Sequence, residues 1–245
     1  MPSLILSPRQ TEDSQALWRE AISRGWEVKR LSNWQIDDDT RELSEPFLYV
    51  EALFGPTLAE QLAVQLIDPP EDWLCRLPSK YRKRNVELTT LKNARELKRP
   101  AFVKPPNDKS FPAAVYSPAS LPTCFEPDMA VLVSEPVAFE SEFRCFVLNR
   151  EVRTYSLYSR NGEPTPQSPW TKAESDSLLQ FVTELLSDET IAIPSACVLD
   201  CGPIVGQGWA AVELNAAWGA GIYQCNPSKA IDVVRAATIG MPEAG

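Results

Sequence analysis

The chain contains no histidine. That absence removes the Ser-His-Asp and Cys-His mechanisms, histidine-based zinc hydrolysis and an imidazole general base. It also contains no C-x-x-C pair among its six cysteines, so a zinc ribbon or a thioredoxin motif is not expected, and buried free thiols are the default. No apolar run approaches the roughly eighteen residues needed to span a bilayer. The first ten residues, "MPSLILSPRQ", lack the basic stretch and the long apolar core of a signal peptide. Positive charge is in deficit: 24 Lys and Arg against 33 Asp and Glu give a formal net charge of −9. A global positive field for nucleic acid or anionic membrane is therefore missing. The expectation is a soluble cytoplasmic protein that binds neither nucleic acid nor membrane. Its chemistry must come from carboxylates, lysine, arginine and a hard cation such as Mg²⁺.

With 44% apolar and 23% charged residues over 245 positions, the composition is that of a globular protein, enough for one large domain or two small ones. "SLILS" reads as a buried strand, "TEDSQALWREAISRGW" as a helix stopped by Gly25, and "EVKRL" and "EPFLYVEALF" as strands. "PTLAEQLAVQL" reads as a second helix, broken by Pro69 and Pro70. This rhythm predicts a small α/β layer over residues 1–75 with a partly parallel sheet. Beyond it "RNVELTTLKNARELK" has helical spacing. "AFVKP" and "AAVY" form a candidate hairpin around the turn "NDKSF", and "MAVLVSEPVAF" is a strong strand. "SEFRCFVLNREVRTYSLYS" alternates around an Asn149-Arg150 turn and predicts a long hairpin. "AESDSLLQFVTELLSD" is an amphipathic helix, "SACVLDCGPI" and "WAAVELNAAW" are two strands, and "PSKAIDVVRAAT" is a last helix. "NGEPTPQSP" reads as a surface loop.

Chemistry concentrates in three places. Glu213 and Asn215 share one face of an apolar strand by its period of two, and Asp200 ends the strand before. Two carboxylates and an amide carbonyl suit Mg²⁺. The plainer alternative has Asp200 capping a turn and Glu213 paired with a base. Lys104 ends a strand and Lys109 follows in the turn, as two phosphate ligands or as two side chains reaching for solvent. Glu142 and Arg144 alternate on one strand face, as a cross-strand ion pair or with Arg144 as an oxyanion ligand. The basic stretches "KYRKR" and "KNARELKR" are a solvated face or supply one or two anion-binding groups.

The order of these pieces resembles the ATP-grasp superfamily. "FVKP", "PNDKSF", "VLVSEPVAF", "SEFRCF", "CVLD" and "VELNAAWGAGIY" follow its sequence of elements over residues 80–235, and the wording is most similar to the clade named for one arginine and two lysines. The resemblance implies an α/β protein, α+β in its C-terminal part. An N-terminal α/β unit at 1–75 would precede a grasp domain at 76–240. That domain would have a small lobe at 76–134, a hinge at 135–137 and a large lobe at 138–240, with antiparallel sheets clasping ATP. It further implies that Lys104 contacts the nucleotide phosphates, with Lys83 or Arg84 as the second basic group. Glu135, Pro136 and Val137 would line the adenine site with Glu142 nearby. Asp200, Glu213 and Asn215 would hold Mg²⁺, and Arg144 and Lys109 would serve the transferring phosphate. Trp218, Gly219, Gly221 and Tyr223 would line the substrate end, although Trp218 and Tyr223 serve equally well as core. Lys109 stands where relatives have a glycine-rich loop. The implied activity is ATP-dependent joining of a small-molecule or peptide carboxylate to an amine through an acyl phosphate. A small-molecule kinase and a nucleotide binder without turnover stand as alternatives. The oligomeric state is open, a homodimer being one option.

Overall fold

The computed structural model describes residues 1–107, 109–165 and 168–240. Asp108 of the expected "NDKSF" turn and Pro166 and Gln167 of the expected loop lie outside the described residues.

The chain starts with β1 (Ser3–Leu6), α1 (Glu12–Ser23), β2 (Glu27–Arg30), α2 (Asp38–Arg41), β3 (Pro46–Tyr49), α3 (Gly55–Gln61) and β4 (Val64–Leu66). β1 pairs in parallel with β2 on one side and β3 on the other, the α/β layer the sequence predicts. Thr11 and Ser14 form a reciprocal capping box at the start of α1. Gly25, at φ +70°, ends the helix. There Gly25 N–H donates to Ile22 O and Trp26 N–H to Ala21 O, a left-handed cap that a side chain would strain.

α4 (Trp73–Arg76) and α5 (Ser79–Arg82) lead into a four-stranded antiparallel sheet, ordered β5 (Val86–Thr90), β8 (Ala130–Ser134), β6 (Ala101–Lys104), β7 (Ala114–Tyr116), with the single-turn α6 (Leu91–Ala94) after β5. The helix expected over "RNVELTTLKNARELK" is thus a strand and one turn. The triplet spacing of Leu88, Leu91 and Ala94 imitates a helix. Pairing of Val86–Thr90 with β8 along all five residues overrides it, helped by β-branched Val86, Thr89 and Thr90. Likewise the second expected helix stops at Gln61. Ala63 turns to φ +52°, and the residues after it form β4, which pairs with β14 (Thr238–Gly240).

The larger sheet is antiparallel, ordered β11 (Glu163–Pro164), β10 (Glu151–Arg160), β9 (Ser141–Leu148), β12 (Ala196–Ile204), β13 (Gly208–Asn215). Asn149 and Arg150, at φ +50° and +64°, close the β9–β10 hairpin with the positive dihedrals such a two-residue turn requires. One face of this sheet packs Phe143, Cys145, Leu199 and Cys201 against α7 (Lys172–Ser187). The other face sends Phe146, Ala196 and Val198 into a core shared with the N-terminal layer and α8 (Pro227–Ala236). The last elements therefore return to the beginning of the chain: α8 packs on α1, and β14 on β4. Of the six free thiols four are buried, while Cys75 is partly exposed and Cys124 exposed. Among the described residues no helix is long and apolar enough to cross a membrane.

The approach of β12 to β9 depends on a missing side chain. A Cβ on Gly202 would lie 1.9 Å from the Ser141 carbonyl oxygen. Gly202→Ala therefore has to push two central strands apart. The expected loss is about 1–3 kcal/mol or more, read as a lower urea midpoint with an unchanged slope.

Candidate functional site

The functional side chains fall on the sheet face that looks away from α7. Asp200 pairs directly with Arg144 of β9 on one side and with Glu213 of β13 on the other, so the three stand in one row across three strands. Asn215 follows two positions along β13. Its amide Nδ2 donates to Asp200 Oδ2 at 3.1 Å and to Glu213 Oε1 at 3.0 Å, which brings the three expected metal ligands together. The partners of the two carboxylates differ. Asp200 is fully buried and held from both oxygens: Arg144 Nε donates to Oδ1 at 2.9 Å and Nη2 to Oδ2 at 2.6 Å. Burial pushes the Asp200 carboxyl up to about 6, against the opposing pull of the Arg144 charge and hydrogen bonds. Glu213 pairs with Lys104 of the small sheet. Burial alone would raise Glu213; the Lys104 charge and the hydrogen bonds from Lys104 and Asn215 outweigh it and lower it to about 2.

The expected cross-strand ion pair from this face is the one Arg144 of β9 makes with Asp200 of β12, while Glu142 makes no ion pair among the described residues. Glu142 accepts from Tyr158 Oη at 2.9 Å and from Ser159 Oγ at 3.1 Å. Arg144 sends its remaining nitrogen, Nη1, to the Gly221 carbonyl at 3.0 Å. Its guanidinium lies 4.9 Å from the Tyr223 ring centre and 5.4 Å from that of Tyr158, and the two rings stack at 5.1 Å. Tyr158 is a site residue that the alternation does not reveal. It sits at a register shift of the β9–β10 ladder, between Leu157 and Ser159, and nothing in the sequence announces that bulge.

Between the two sheets lies a cavity of about 500 Å³. Lys104 and Phe102 line it from the small sheet, Glu135 and Val137 from the segment after β8, and Glu142, Tyr158 and Glu213 from the large sheet. Of the two basic candidates before β5, Arg84 faces this cavity, and Lys83 is an exposed left-handed residue at the end of α5. Arg84 donates to Ala211 O at 2.8 Å and Val212 O at 3.0 Å, so it also ties the small lobe to the open edge of β13. Burial lowers it to about 10, partly offset by the charges of Glu142 and Glu213. Glu135 accepts the backbone N–H of Asn85 at 3.0 Å, which ties the end of β8 to the start of β5, and Pro136 faces an outer groove with Asn85 and Glu87.

A second cavity of about 80 Å³ shares Glu213 with the first and continues past Asn215, Arg144 and Lys109 to Trp218, Gly219 and Gly221. Trp218 is 2% exposed and packs on Gly55, where a Cβ would come within 2.2 Å of its ring. Tyr223 is 46% exposed at φ +49°. The two glycines admit the N-terminal layer: a Cβ on Gly219 would meet Val50 O at 3.3 Å, and one on Gly221 the Asp13 carboxylate at 3.0 Å. Asp13 also accepts the Ile222 N–H at 3.0 Å, binding this loop to α1.

The matching family model is the ATP-grasp domain of family 2 in the clade named for one arginine and two lysines, over residues 81–233, more than half of the chain. The chain belongs to this ATP-grasp family. No curated protein matches it in sequence. Solved ATP-grasp structures share its fold at low identity. A D-alanine–D-alanine ligase from Bacillus anthracis complexed with ATP is 14% identical, with a TM-score of 0.59 and 96% of each chain covered. A RimK-domain ATP-grasp protein from Sphaerobacter thermophilus is 16% identical, with a TM-score of 0.52 and 96% of this chain and 97% of that one covered. The ATP-grasp ligase PsnB with its minimal precursor is 12% identical, with a TM-score of 0.52 and 96% and 98% covered.

The ATP-grasp cleft suits a nucleotide. Its volume lies in the range of about 300–1,000 Å³ usual for ligand pockets, and Lys104 and Arg84 bring cationic groups to a largely apolar wall that also carries the carboxylates of Glu135, Glu142 and Glu213. Oxygen donors suit Mg²⁺, and Glu213 stands on the wall of both cavities with Asn215 on the wall of the smaller. Asp200 lies behind them with Arg144 on both oxygens. Among the described residues no group of three His, Cys, Asp or Glu is placed to hold a metal.

The depressed Glu213 carboxyl has a consequence for acid stability. The folded pKa of about 2 lies below the ordinary 4.5, so its stabilisation is present above pH 4.5 and is lost as pH falls toward 2. Glu213→Gln should flatten that portion of the stability–pH curve, by up to a few kcal/mol, measured by urea denaturation between pH 5 and 2.5. Lys104→Met should move the same loss to higher pH.

Proposed function

We propose that the protein is an ATP-dependent ligase joining a carboxylate to an amine. What carries the reading is the position of Glu213 on the wall of both cavities, with Lys104 on one side and the Arg144–Asp200 pair on the other. A nucleotide in the larger cavity would then present its terminal phosphate at the entrance to the smaller one. Lys104 would hold phosphate oxygens, with Arg84 behind it, and Glu135 and Val137 would border the base. Glu213 and Asn215, with Asp200 in support, would hold Mg²⁺, which neutralises phosphate charge when bound.

The reaction would run without a histidine because each step uses a nucleophile that needs little help. The substrate carboxylate, already ionised, attacks the γ-phosphorus; its oxygen gains a P–O bond and ADP leaves. The amine then attacks the carbonyl carbon of the acyl phosphate. A C–N bond forms, the C–O bond to phosphate breaks, and inorganic phosphate departs, taking up the proton that the amine nitrogen loses. Arg144, with its direction fixed by Asp200 and Gly221, would stabilise the charge on the transferring group. Lys109, on the rim of the small cavity, would add a second cation. The chain's own contribution is thus positioning and charge neutralisation. The solved ligases support the fold, and the ligase assignment for this chain is our reading.

Two outcomes test it. ATP with Mg²⁺ should raise the thermal midpoint, and RT ln(1 + [L]/Kd) gives about 2.7 kcal/mol at a hundredfold excess over Kd. Lys104→Ala and Glu213→Ala should each weaken ATP binding at least tenfold while the fold is kept. No midpoint rise at millimolar Mg-ATP would remove the reading. An ADP-release screen over carboxylates and amines then separates an amide product from a phosphorylated one.

A further inference from the structure

Of the basic stretches "KYRKR" and "KNARELKR", only Arg84 has a part in the site described above. Residues 76–99 hold nine of the 24 Lys and Arg of the chain and only two acids, Glu87 and Glu96. Arg76 pairs with Asp72, and Lys80 with Glu184 and Asp188. Among the described residues no other cation of this stretch makes an ion pair. A chain with 33 acids has carboxylates enough to neutralise them, so the stretch keeps a local positive field against the net charge of −9.

The fold gathers part of that field at a groove. A cavity of about 580 Å³ lies at the end of the small sheet, where the start of β5, the end of β8 and the start of β6 meet. Arg82, the last residue of α5, and Arg99, just before β6, stand on its wall. Arg99 is exposed and makes no hydrogen bond among the described residues. Arg82 is half-buried. Its Nη1 donates to the Cys75 carbonyl at 3.2 Å, which fixes the side chain, and its Nε is buried without an acceptor. A buried donor left this way costs free energy until an acceptor reaches it. Val86, Leu97, Ala101 and Val133 give the groove an apolar floor. It also carries two carboxylates. Glu135 is engaged by the Asn85 N–H and Nδ2, at 3.0 and 3.4 Å, and Glu87 lies opposite Val133 in the ladder.

This lining selects among anions. A small inorganic anion would meet the arginines and leave the floor wet. A nucleic acid would find no aromatic side chain to stack on, and Glu87 would repel its phosphates. An extended peptide supplies carboxylates and apolar side chains in alternation, and guanidinium groups take carboxylates as a fork. We infer that the groove is a docking site for an extended acidic peptide segment of another protein, with its carboxylates on Arg82 and Arg99 and its apolar side chains over Val86, Leu97 and Val133. The site is independent of the ligase reading, since it meets the nucleotide cavity only at Ser134 and Glu135 and contains none of the groups assigned to phosphoryl transfer.

The test applies the full chain to an array of random dodecapeptides at physiological salt, and then measures the strongest binder, labelled with fluorescein, by anisotropy. The bound peptides should be enriched in Asp and Glu interleaved with apolar residues. Replacing the acids of the strongest binder by their amides should weaken it at least tenfold. Arg99→Ala, at an exposed side chain without partners, should keep the thermal midpoint and weaken the peptide at least fivefold, and Arg82→Ala should weaken it at least as much. The inference is overturned if no peptide binds, if the bound set is not enriched in acids, if the amide form binds as well, or if Arg99→Ala leaves the affinity intact. It is also overturned, in favour of nucleic acid, if oligothymidylate binds more tightly than the peptide and loses that affinity in Arg99→Ala.

Discussion

The buried pair of Arg144 and Asp200 is the constraint on which the other parts of the site depend. Both groups are taken out of water, and the cost is recovered only through geometry: two parallel hydrogen bonds, a carbonyl on the third nitrogen and two aromatic rings beside the guanidinium. Those contacts come from three separate pieces of chain. Asp200 needs β12 in register with β9, and that register needs the bare backbone of Gly202. The carbonyl belongs to Gly221, in a loop that Asp13 fastens to α1. Tyr158 reaches the pair through a bulge in β10. The ion pair is weak evidence of net stability, but removing either charge would strand the other in the interior at about 3–5 kcal/mol. It therefore fixes how the large sheet, the substrate loop and the N-terminal layer sit together.

The cleft balances its own charges. Lys104 satisfies Glu213 across the two lobes, and Arg84 fills the open carbonyls of β13. Neither lobe is held to the other by apolar packing alone. On the proposed reading, Lys104 can turn to phosphate only when Glu213 acquires another cation, so the two exchanges are coupled through one contact. A chain with net charge −9 can still attract a polyanion, because its cations are gathered where its acids are already engaged.

Much of this was readable from residue types, and the unread parts share a cause. Period-two alternation placed Glu213 and Asn215 on one face, and the Asn149-Arg150 turn set the β9–β10 hairpin. Both depend on local geometry. The strand at Val86–Thr90 looked helical because its apolar spacing suits either structure, and only pairing with β8 decides between them. The choice of Arg84 over Lys83 is likewise tertiary: Lys83 takes the left-handed turn that swings the next side chain inward. Tyr158 lay beyond reach for the same reason, since a bulge carries no sequence period. The roles assigned to Lys104, Arg144 and the three oxygen donors came from the order of motifs, and the structure adds the distances among them.

The folding of the last forty residues explains why the substrate end is assembled from such distant positions. After β13 the chain passes Trp218 and Gly221, then uses α8 and β14 to complete the core of the N-terminal layer. The loop between them is thus held at both ends by parts of the fold that have separate cores. Val50 N–H donates to the Trp218 carbonyl at 3.0 Å, and Ile222 N–H to Asp13, so β3 and α1 set the backbone of this loop from outside the grasp sheets. Variation in the N-terminal layer would accordingly alter the substrate end directly, through the backbone it positions, while leaving the row of Arg144, Asp200 and Glu213 in place. On the proposed reading, that division separates the groups that handle phosphoryl transfer from those that choose what is joined. It follows from topology, because the first are consecutive positions across one sheet and the second are where two cores meet.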